Sequence, residues 1–287
     1  MTVSFNNVWG DSDDQVFIAK KIITQKEKFL KPLASGAKLG AYSLSETQSG
    51  SDASNMKTLA RKDGENYLIS GSKNWVTSGI SSDLIIIFCV TERKENKNEI
   101  SAFILEKDIE GFKVGKKEDK LGLRASDTCQ IFFDNCKVPV ENMIGSEGTG
   151  HITIMNGLDF ERAMIAPICL GISQRALEIS IEYAKIREQF GKPISSFQMI
   201  QSKIADMYTW VEAIKSMVYS VLSECDNIDK KLAGKGKIHI NTSASVMFAS
   251  TTSNKVLNEA VQIHGGMGYM WESEINRLYR SSKCCYI

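Results

Sequence analysis

An acidic and a basic residue, Glu161 and Arg162, stand side by side in an apolar stretch, LDFER (158–162). Most Glu-Arg neighbours lie on a solvated helix face and take no part in chemistry. If this face meets an apolar cavity instead, desolvation raises the pKa of the Glu161 carboxyl and makes it a candidate general base. The stretch alone does not choose between these two interpretations.

Two other segments combine residue types that hold ligands. Ser43–Ala53 (SLSETQSGSDA) offers hydroxyls and backbone N–H groups to a polar ligand, although composition alone favours an ordinary surface loop. Gly71–Gly79 (GSKNWVTSG) places Trp75 two residues from Thr77, so both side chains share one face if the chain is extended there. A ring beside a hydroxyl suits a flat aromatic ligand, and a core tryptophan beside a surface threonine is the alternative.

Glycine turns and histidines supply the remaining candidates. Gln262–Gly268 (QIHGGMG) ends a helical pattern in a turn where the backbone could approach a ligand closely. Neither this turn nor Gly145–Gly150 has the preceding strand and following helix of a dinucleotide-binding fingerprint. His151, His239 and His264 are not at metal-ligand spacing, so we predict no metal site. We expect His264 to border a site and the other two to be structural or exposed.

Composition limits the class of protein. The chain has 287 residues, 43% hydrophobic and 24% charged, with a formal net charge of +1, which is typical of a globular protein of one or two domains and favours neither nucleic acid nor membrane as a partner. Its longest apolar run, Leu84–Val90, is too short to span a bilayer. Seven cysteines without C-x-x-C spacing indicate a reducing compartment, with four of them as core residues. We therefore expect a soluble intracellular protein.

The elements that must position these residues change type near residue 146, from a β-rich part to a helical part. Asp63-Gly64 is a hairpin-turn signal, and closely spaced glycines and serines are typical of a small barrel or sandwich. The helical patterns predict a hairpin or bundle, with Pro167 inside the first. The predicted strands are 58–60, 67–70, 83–90, 100–105 and 129–133, the last ending at Asp134-Asn135; the predicted helices are 15–33, 151–183, 196–224 (capped by Ser196), 242–263 and 272–281.

Taken together, seven segments resemble the acyl-CoA dehydrogenase family in order and spacing. They are QKEKFLKPLASG (25–36), LGAYSLSETQSGSDA (39–53), YLISGSKNWVTSG (67–79), KLGLRASDT (120–128), LDFERAMIAP (158–167), REQFGKPISSFQ (187–198) and QIHGGMGY (262–269). The resemblance runs from about residue 20 to the last residue. The wording of LDFER, REQFGKP and ADMYT (205–209) is most similar to the isovaleryl-type branch.

The resemblance implies an α+β fold in which an N-terminal helical domain, a middle β-barrel domain and a C-terminal helical bundle follow one another. Applied to this chain, it predicts a remnant of the N-terminal domain at 1–38, the middle β domain at 39–145 and the bundle at 146–287. Relative to the family, we expect the chain to be truncated at both ends. One departure lies in the middle domain, where Thr47 stands at a position that is usually Pro.

The resemblance also implies FAD as cofactor, between the β domain and the bundle, with its tail held by a neighbouring subunit. Leu44–Ser51 and Trp75–Thr77 would line the flavin ring, with Thr77 near its reactive nitrogen. Residues from the helical part would hold the adenine-side half across a subunit interface. The implied cofactor-binding residues are Leu44, Ser45, Gly50, Ser51, Trp75, Val76, Thr77, Arg187, Phe190, Gln198, Gln262, Gly265 and Gly266.

The implied reaction is the FAD-dependent α,β-dehydrogenation of a short or branched acyl-CoA to the enoyl-CoA, as in fatty acid and branched-chain amino acid catabolism. Most family members carry the catalytic base in a segment that would fall beyond Ile287, but a minority carries it on the bundle helix, at the position of Glu161. Glu161 would take the α-proton while the β-hydrogen leaves as hydride. The implied substrate-binding residues are Ser51, Asp159, Phe160 and Arg162.

The partners implied by the resemblance are the acyl-CoA substrate, an electron-transfer flavoprotein as electron acceptor, and further copies of the chain in a homotetramer. The location implied is the bacterial cytoplasm or the mitochondrial matrix. Two alternatives stay open: an acyl-CoA oxidase-like enzyme on the same fold, and a truncated non-catalytic homologue that acts only as an assembly partner.

Overall fold

The computed structural model describes residues 21–94, 98–225 and 235–286, which form two compact units. One unit contains the described residues up to Asp119 together with Ala125–Gly157; the other contains Lys120–Arg124 and the chain from Leu158 onward. The predicted helix at 15–33 lies partly outside the described residues. Its described part is helical from residue 21, through a π-helical turn at Lys26–Leu30, to α1 at Lys31–Ala34.

An eight-stranded sheet forms the first unit. Its strand order is β6-β7-β3-β2-β4-β5-β8, with β1 beside β4; β1 and β2 run parallel to β4, and the other pairs are antiparallel. The strands are β1 Gly40–Ser43, β2 Leu59–Asp63, β3 Asn66–Thr77, β4 Leu84–Glu92, β5 Glu99–Glu106, β6 Phe112–Lys117, β7 Thr128–Pro139 and β8 Met143–Ile144, with 3-10 turns at Ala53–Asn55 and Val140–Asn142.

The sheet curls around one apolar cluster. Alternate residues of β4, Ile85, Ile87 and Cys89, point into it, as the two-residue period of a strand requires. The cluster also contains Met143 from one end of the strand order, and Phe112 from the other end packs against it. Strands that are far apart in the order therefore share one core, which confirms the predicted β domain.

The end predicted for β7 was wrong. Asp134-Asn135 looks like a turn, but the strand continues through it to Pro139. Asn135 takes a φ of 51°, and the pairing with β3 shifts register between Ile69 and Gly71. Asparagine tolerates this left-handed conformation, so the pair forms a β-bulge within the strand and does not end it.

Four longer helices make up most of the described part of the second unit. The helices are α2 Gly150–Ile186, which begins in the first unit, α3 Gln198–Cys225, α4 Gly236–His264, α5 Gly266–Tyr269 and α6 Glu274–Tyr286; between α2 and α3 lie the short strands β9 Glu188–Gln189 and β10 Lys192–Pro193 and a 3-10 turn at Ile194–Ser196. Residues of α2, α3, α4 and α6 share one buried cluster, which confirms the predicted bundle.

Two details of the helical part concern the start of α3 and the composition of α2. Ser196 does not cap α3 as predicted, because its hydroxyl donates to the Pro193 carbonyl and closes the preceding turn. Among the described residues one helix, α2, is long and apolar enough to cross a membrane by length and composition. Several of its buried residues, among them Ala176 and Ala184, lie in the bundle cluster, and core helices of globular proteins can be equally long and apolar.

Glycine is required at Gly111 by both conformation and space. Its φ is 83°, and a Cβ there would collide with the Asp134 carbonyl oxygen. Gly64, in the β2–β3 turn, has a φ of 58° but open space around it.

We predict that G64A lowers the free energy of unfolding by about 1 kcal/mol through backbone strain alone. G111A should cost about 3 kcal/mol because overpacking adds to the strain. Denaturant unfolding of both variants checks this, and equal losses would contradict it.

Candidate active site

A buried ion pair ties the polar segment 43–53 to β3. The Lys73 ammonium has no exposed surface and donates to Glu46 Oε1 at 2.9 Å and to the Leu44 carbonyl at 3.0 Å. Next to it, the Asn74 backbone N–H donates to the Ser45 carbonyl at 2.8 Å. Three consecutive loop residues are therefore fixed to two consecutive strand residues, directly before Trp75.

The departure at Thr47 adds to this connection. The Thr47 hydroxyl accepts a hydrogen bond from Asn74 Nδ2 at 3.0 Å, which a proline at this position could not do. The loop thus reaches β3 through Asn74 at two points, one of them specific to this chain's residue at 47.

The Glu46 carboxylate also organises the return of the loop. Its two oxygens accept from the backbone N–H groups of Lys57, at 2.6 Å, and Thr58, at 3.1 Å, and from Gln48 Nε2 at 2.7 Å. Burial by itself would raise the pKa of Glu46, but the hydrogen bonds from Lys73, Lys57 and Thr58 together with the Lys73 charge lower it to about 2. The carboxylate is therefore ionised throughout the neutral range.

Trp75 and Thr77 flank Val76 at the end of β3. Both are exposed, Trp75 to 66%, and Val76 between them is buried to 1% exposure. Trp75 has a φ of 59° and lies at a register shift between β3 and β7, so the chain is not extended at this residue, which the sequence-based prediction of a shared face required. The side chains of Trp75 and Thr77 are both open to a ligand, whereas Val76 can offer one only its main-chain groups.

The loop residues predicted to line the same ligand lie at or near the surface. Leu44 and Ser45 are half-buried, and Gly50 and Ser51 are exposed. A Cβ at Gly50 would meet no atom within 4 Å, so open space lies beside this glycine. Within the first unit, the structure thus brings the two predicted segments together through Lys73 and Asn74.

Glu161 lies half-buried in the N-terminal third of α2. Desolvation is the largest influence and raises the pKa of its carboxyl, and the neighbouring Arg162 charge opposes the shift without cancelling it. This is the environment that the general-base interpretation requires. Phe160 is half-buried beside it.

Asp159 and Arg162 form a group with a residue that the sequence did not single out for chemistry. His239, in the first turns of α4, places Nδ1 2.6 Å from Asp159 Oδ1, and Arg162 donates to the same oxygen at 3.4 Å. Asp159 is buried and the other two are half-buried. The sequence predicts only a structural or exposed His239, because eighty residues separate it from Asp159 and no local pattern signals their contact.

The other predicted cofactor residues of the second unit lie at two nearby turns. Arg187, Phe190 and Gln198 are exposed around the β9–β10 hairpin, where Phe190 is 93% exposed with a φ of 54°. Gln262, Gly265 and Gly266 are exposed where α4 ends, and a Cβ on either glycine would meet no atom within 4 Å.

Tyr183 joins these two turns, which is a role that the sequence did not reveal. Its ring stacks on His264 with centroids 4.4 Å apart, and it lies one helical turn before Arg187. His264 is buried, its Nδ1 contacts the Ala260 carbonyl at 2.8 Å, and desolvation lowers its pKa, so the imidazole is neutral near pH 7. Both rings border an open cavity of about 430 Å³ together with Met267 and Met270, so His264 does line a concave surface.

The ion pair makes a direct prediction for stability. E46Q should lower the free energy of unfolding by about 3 kcal/mol or more, because it leaves the buried Lys73 charge without a counter-charge. Glu46 has a folded pKa of about 2, below its ordinary value of 4.5, so its contribution is present above pH 4.5 and is lost as the pH falls towards 2. The unfolding difference between wild type and E46Q should shrink over that interval. E65Q, at an exposed glutamate, is the control and should match wild type.

Comparisons with known proteins agree with this architecture. The family model for the acyl-CoA dehydrogenase middle domain matches residues 41–136, and that for the acyl-CoA dehydrogenase C-terminal domain matches residues 148–287. The chain is 43% identical over 260 residues to isovaleryl-CoA dehydrogenase, mitochondrial, of Oryza sativa subsp. japonica, covering 90% of this chain and 62% of that protein. It is 43% identical to the short-chain specific acyl-CoA dehydrogenase of Megasphaera elsdenii, covering 92% of this chain and 67% of that protein.

Solved structures show the same fold. Butyryl-CoA dehydrogenase from Megasphaera elsdenii superposes with a TM-score of 0.85 at 42% identity, over 92% of this chain and 68% of that one. An acyl-CoA dehydrogenase complexed with FAD from Bacillus anthracis gives 0.84 at 37% identity, over 92% and 47%. A chain in a structure of the electron transferring flavoprotein of Acidaminococcus fermentans gives 0.86 at 38% identity, over 94% and 70%. This chain spans about 62% of the length of the isovaleryl-CoA dehydrogenase it matches, and within that span it belongs to the acyl-CoA dehydrogenase family.

Proposed function

We propose that this chain serves the FAD-dependent α,β-dehydrogenation of a short or branched acyl-CoA, with Glu161 as the base. The observation that carries the proposal is the half-buried Glu161 carboxyl, whose pKa is raised by desolvation in a chain of the acyl-CoA dehydrogenase family. A carboxylate that is poorly solvated binds a proton more strongly, as the removal of a weakly acidic α-proton requires.

The first unit has residues that fit a flavin ring. The exposed Trp75 ring offers a stacking wall, and the exposed Thr77 hydroxyl beside it offers a donor to a ring nitrogen or carbonyl. Leu44, Ser45, Gly50, Ser51 and the main chain at Val76 would complete the lining. Glu46 holds the loop through the N–H groups of Lys57 and Thr58, so the protein's own contacts order it.

The second unit has residues that fit the adenine-side half of FAD. The open space at Gly265 and Gly266 lets a ligand approach their main chain, and Arg187 offers an exposed cation for a phosphate. Phe190, Gln198 and Gln262 would add a ring and two amides. These residues would serve a flavin of a neighbouring copy of the chain, in the homotetramer that the family resemblance implies.

Glu161 would take the α-proton of the acyl thioester and hold it on a carboxylate oxygen. When bound, FAD supplies the oxidising chemistry by accepting the β-hydrogen as a hydride. Phe160 and the apolar surroundings of Glu161 would keep water away from the carboxyl, and general-base catalysis of this kind typically contributes about 100- to 10,000-fold. Arg162 would bind the anionic CoA end, with Asp159 beside it and Ser51 near the pyrophosphate.

The substrate class rests on the relatives' names. One is named for isovaleryl-CoA and another as short-chain specific, so we propose a short or branched acyl group and a place in branched-chain amino acid or fatty acid catabolism. The similarity to a chain in a structure of an electron transferring flavoprotein supports such a protein as the electron acceptor. Relatives named as mitochondrial and relatives from bacteria support the mitochondrial matrix or bacterial cytoplasm as the location.

Exposed apolar residues on the second unit support assembly with further copies. Met164, Ile168, Ile186, Met199 and Met247 are each more than half exposed, and a neighbouring copy of the chain could cover such side chains. A homotetramer is the state that we propose, and sedimentation of the purified chain measures it.

E161Q should abolish the bleaching of the flavin absorbance when isovaleryl-CoA is added anaerobically, while leaving the bound-flavin spectrum unchanged. Because the substitution removes a poorly solvated charge, the thermal unfolding midpoint near pH 7 should not fall. In wild type, the bleaching rate should decline as the pH drops through a value above 4.5, since protonation inactivates the base and its pKa is raised.

E178Q, at an exposed glutamate of the same helix, is the matched control and should bleach like wild type. Full bleaching by E161Q would exclude Glu161 as the base. Rapid reoxidation of the reduced flavin by air, with formation of hydrogen peroxide, would favour the oxidase alternative over a dehydrogenase.

A further inference from the structure

We propose that His239 is a positioning residue: it holds Asp159 and so keeps the Arg162 guanidinium from pairing tightly with that carboxylate, which leaves the guanidinium available to the anionic end of the CoA thioester. This inference rests on the proposed function. His239 lies on α4, and Asp159 and Arg162 lie three residues apart on α2. The contact between His239 Nδ1 and Asp159 Oδ1, at 2.6 Å, joins the two helices.

The contact fixes the tautomer of the imidazole. A carboxylate oxygen can only accept hydrogen bonds, so Nδ1 of His239 must carry the proton that it shares with Asp159. The same donor is available whether the imidazole is neutral or protonated, because Nδ1–H is present in both forms. The contact therefore links α2 and α4 through the Nδ1–H group of His239.

His239 and Arg162 both contact the same oxygen of Asp159. Asp159 Oδ1 is 2.6 Å from the imidazole nitrogen and 3.4 Å from Arg162 Nη1, so the histidine takes the stronger bond and the arginine the weaker one. Without the histidine, the Asp159 carboxylate would draw the guanidinium into a close ion pair. A loosely held guanidinium can turn its other donors to a phosphate, and the Arg162 side chain keeps 29% of its surface exposed for this purpose.

If His239 had only a structural role, its loss would have the same effect as the loss of any other contact that anchors the start of α4. The same turn of α4 is also anchored to α3, where Asn241 Nδ2 donates to Glu224 at 2.6 Å. That contact touches neither Asp159 nor Arg162. Loss of the Asn241 anchor should therefore loosen the start of α4 without changing the arginine, which makes N241L the matched control for H239L.

The experiment measures the binding of free coenzyme A to the purified full chain by titration calorimetry. H239L should weaken binding about tenfold, the usual effect of losing one hydrogen bond to a charged group. H239N should restore most of the affinity, because the asparagine amide can donate from near the position of Nδ1. N241L should bind coenzyme A like wild type while lowering the thermal unfolding midpoint.

Equal weakening by H239L and N241L, or wild-type binding by H239L, would overturn the role of His239. No binding by wild type would instead overturn the proposed function, and with it the ligand on which Arg162 acts.

A second experiment measures the tautomer of His239 directly. The chain has three histidines, so long-range proton–nitrogen NMR spectra resolve the tautomer of each. At mildly alkaline pH we expect the Nδ1–H form at His239; the Nε2–H form would contradict the contact with Asp159 whatever the coenzyme A result.

Discussion

The buried pair of Glu46 and Lys73 is the interaction on which the ligand-facing surface of the first unit depends. An isolated charge in this position would be costly, but each partner here has several hydrogen bonds in addition to the other's charge. The loop from Leu44 to Ser51 has no regular secondary structure of its own to hold it, beyond the Glu46–Ser49 bridge. The pair fixes this loop to β3, so that the loop and Trp75 keep constant positions relative to each other.

The second unit positions its charged groups by a different means. Glu161, Asp159 and Arg162 lie on one long helix that is held in a bundle core, so the helix backbone fixes their spacing. Their environments then separate their roles: the Glu161 carboxyl is desolvated and has a raised pKa, whereas the Asp159 carboxylate is engaged by His239 and Arg162. Two carboxyl groups two residues apart thus have different surroundings, and burial makes the Glu161 carboxyl more basic than usual.

The sequence predicted the helices and strands well but not the contacts between residues far apart in the chain, because only the former depend on local patterns. Strands such as Leu84–Glu92 and helices such as Gln198–Cys225 follow from local apolar periodicity, which is present in the sequence itself. Asn135 and Ser196 misled because the same side chain can end an element or be absorbed in a bulge or a turn. Pairing with β3 decides this for Asn135, and a local bond to the Pro193 carbonyl decides it for Ser196. The pairs Lys73–Glu46 and His239–Asp159 join residues 27 and 80 positions apart, and one sequence has no local signal for such contacts.

Residue-resolved hydrogen exchange of the chain without FAD tests most directly whether the ion pair organises the loop. The backbone N–H groups of Lys57 and Thr58 donate to Glu46, and that of Asn74 donates to the Ser45 carbonyl. If the pair organises the loop, these three amides exchange slowly before FAD is added, and FAD adds protection mainly at the exposed residues around Trp75. If they exchange as fast as a solvated loop until FAD is added, the cofactor organises the loop, and Glu46 and Lys73 do not have the central role.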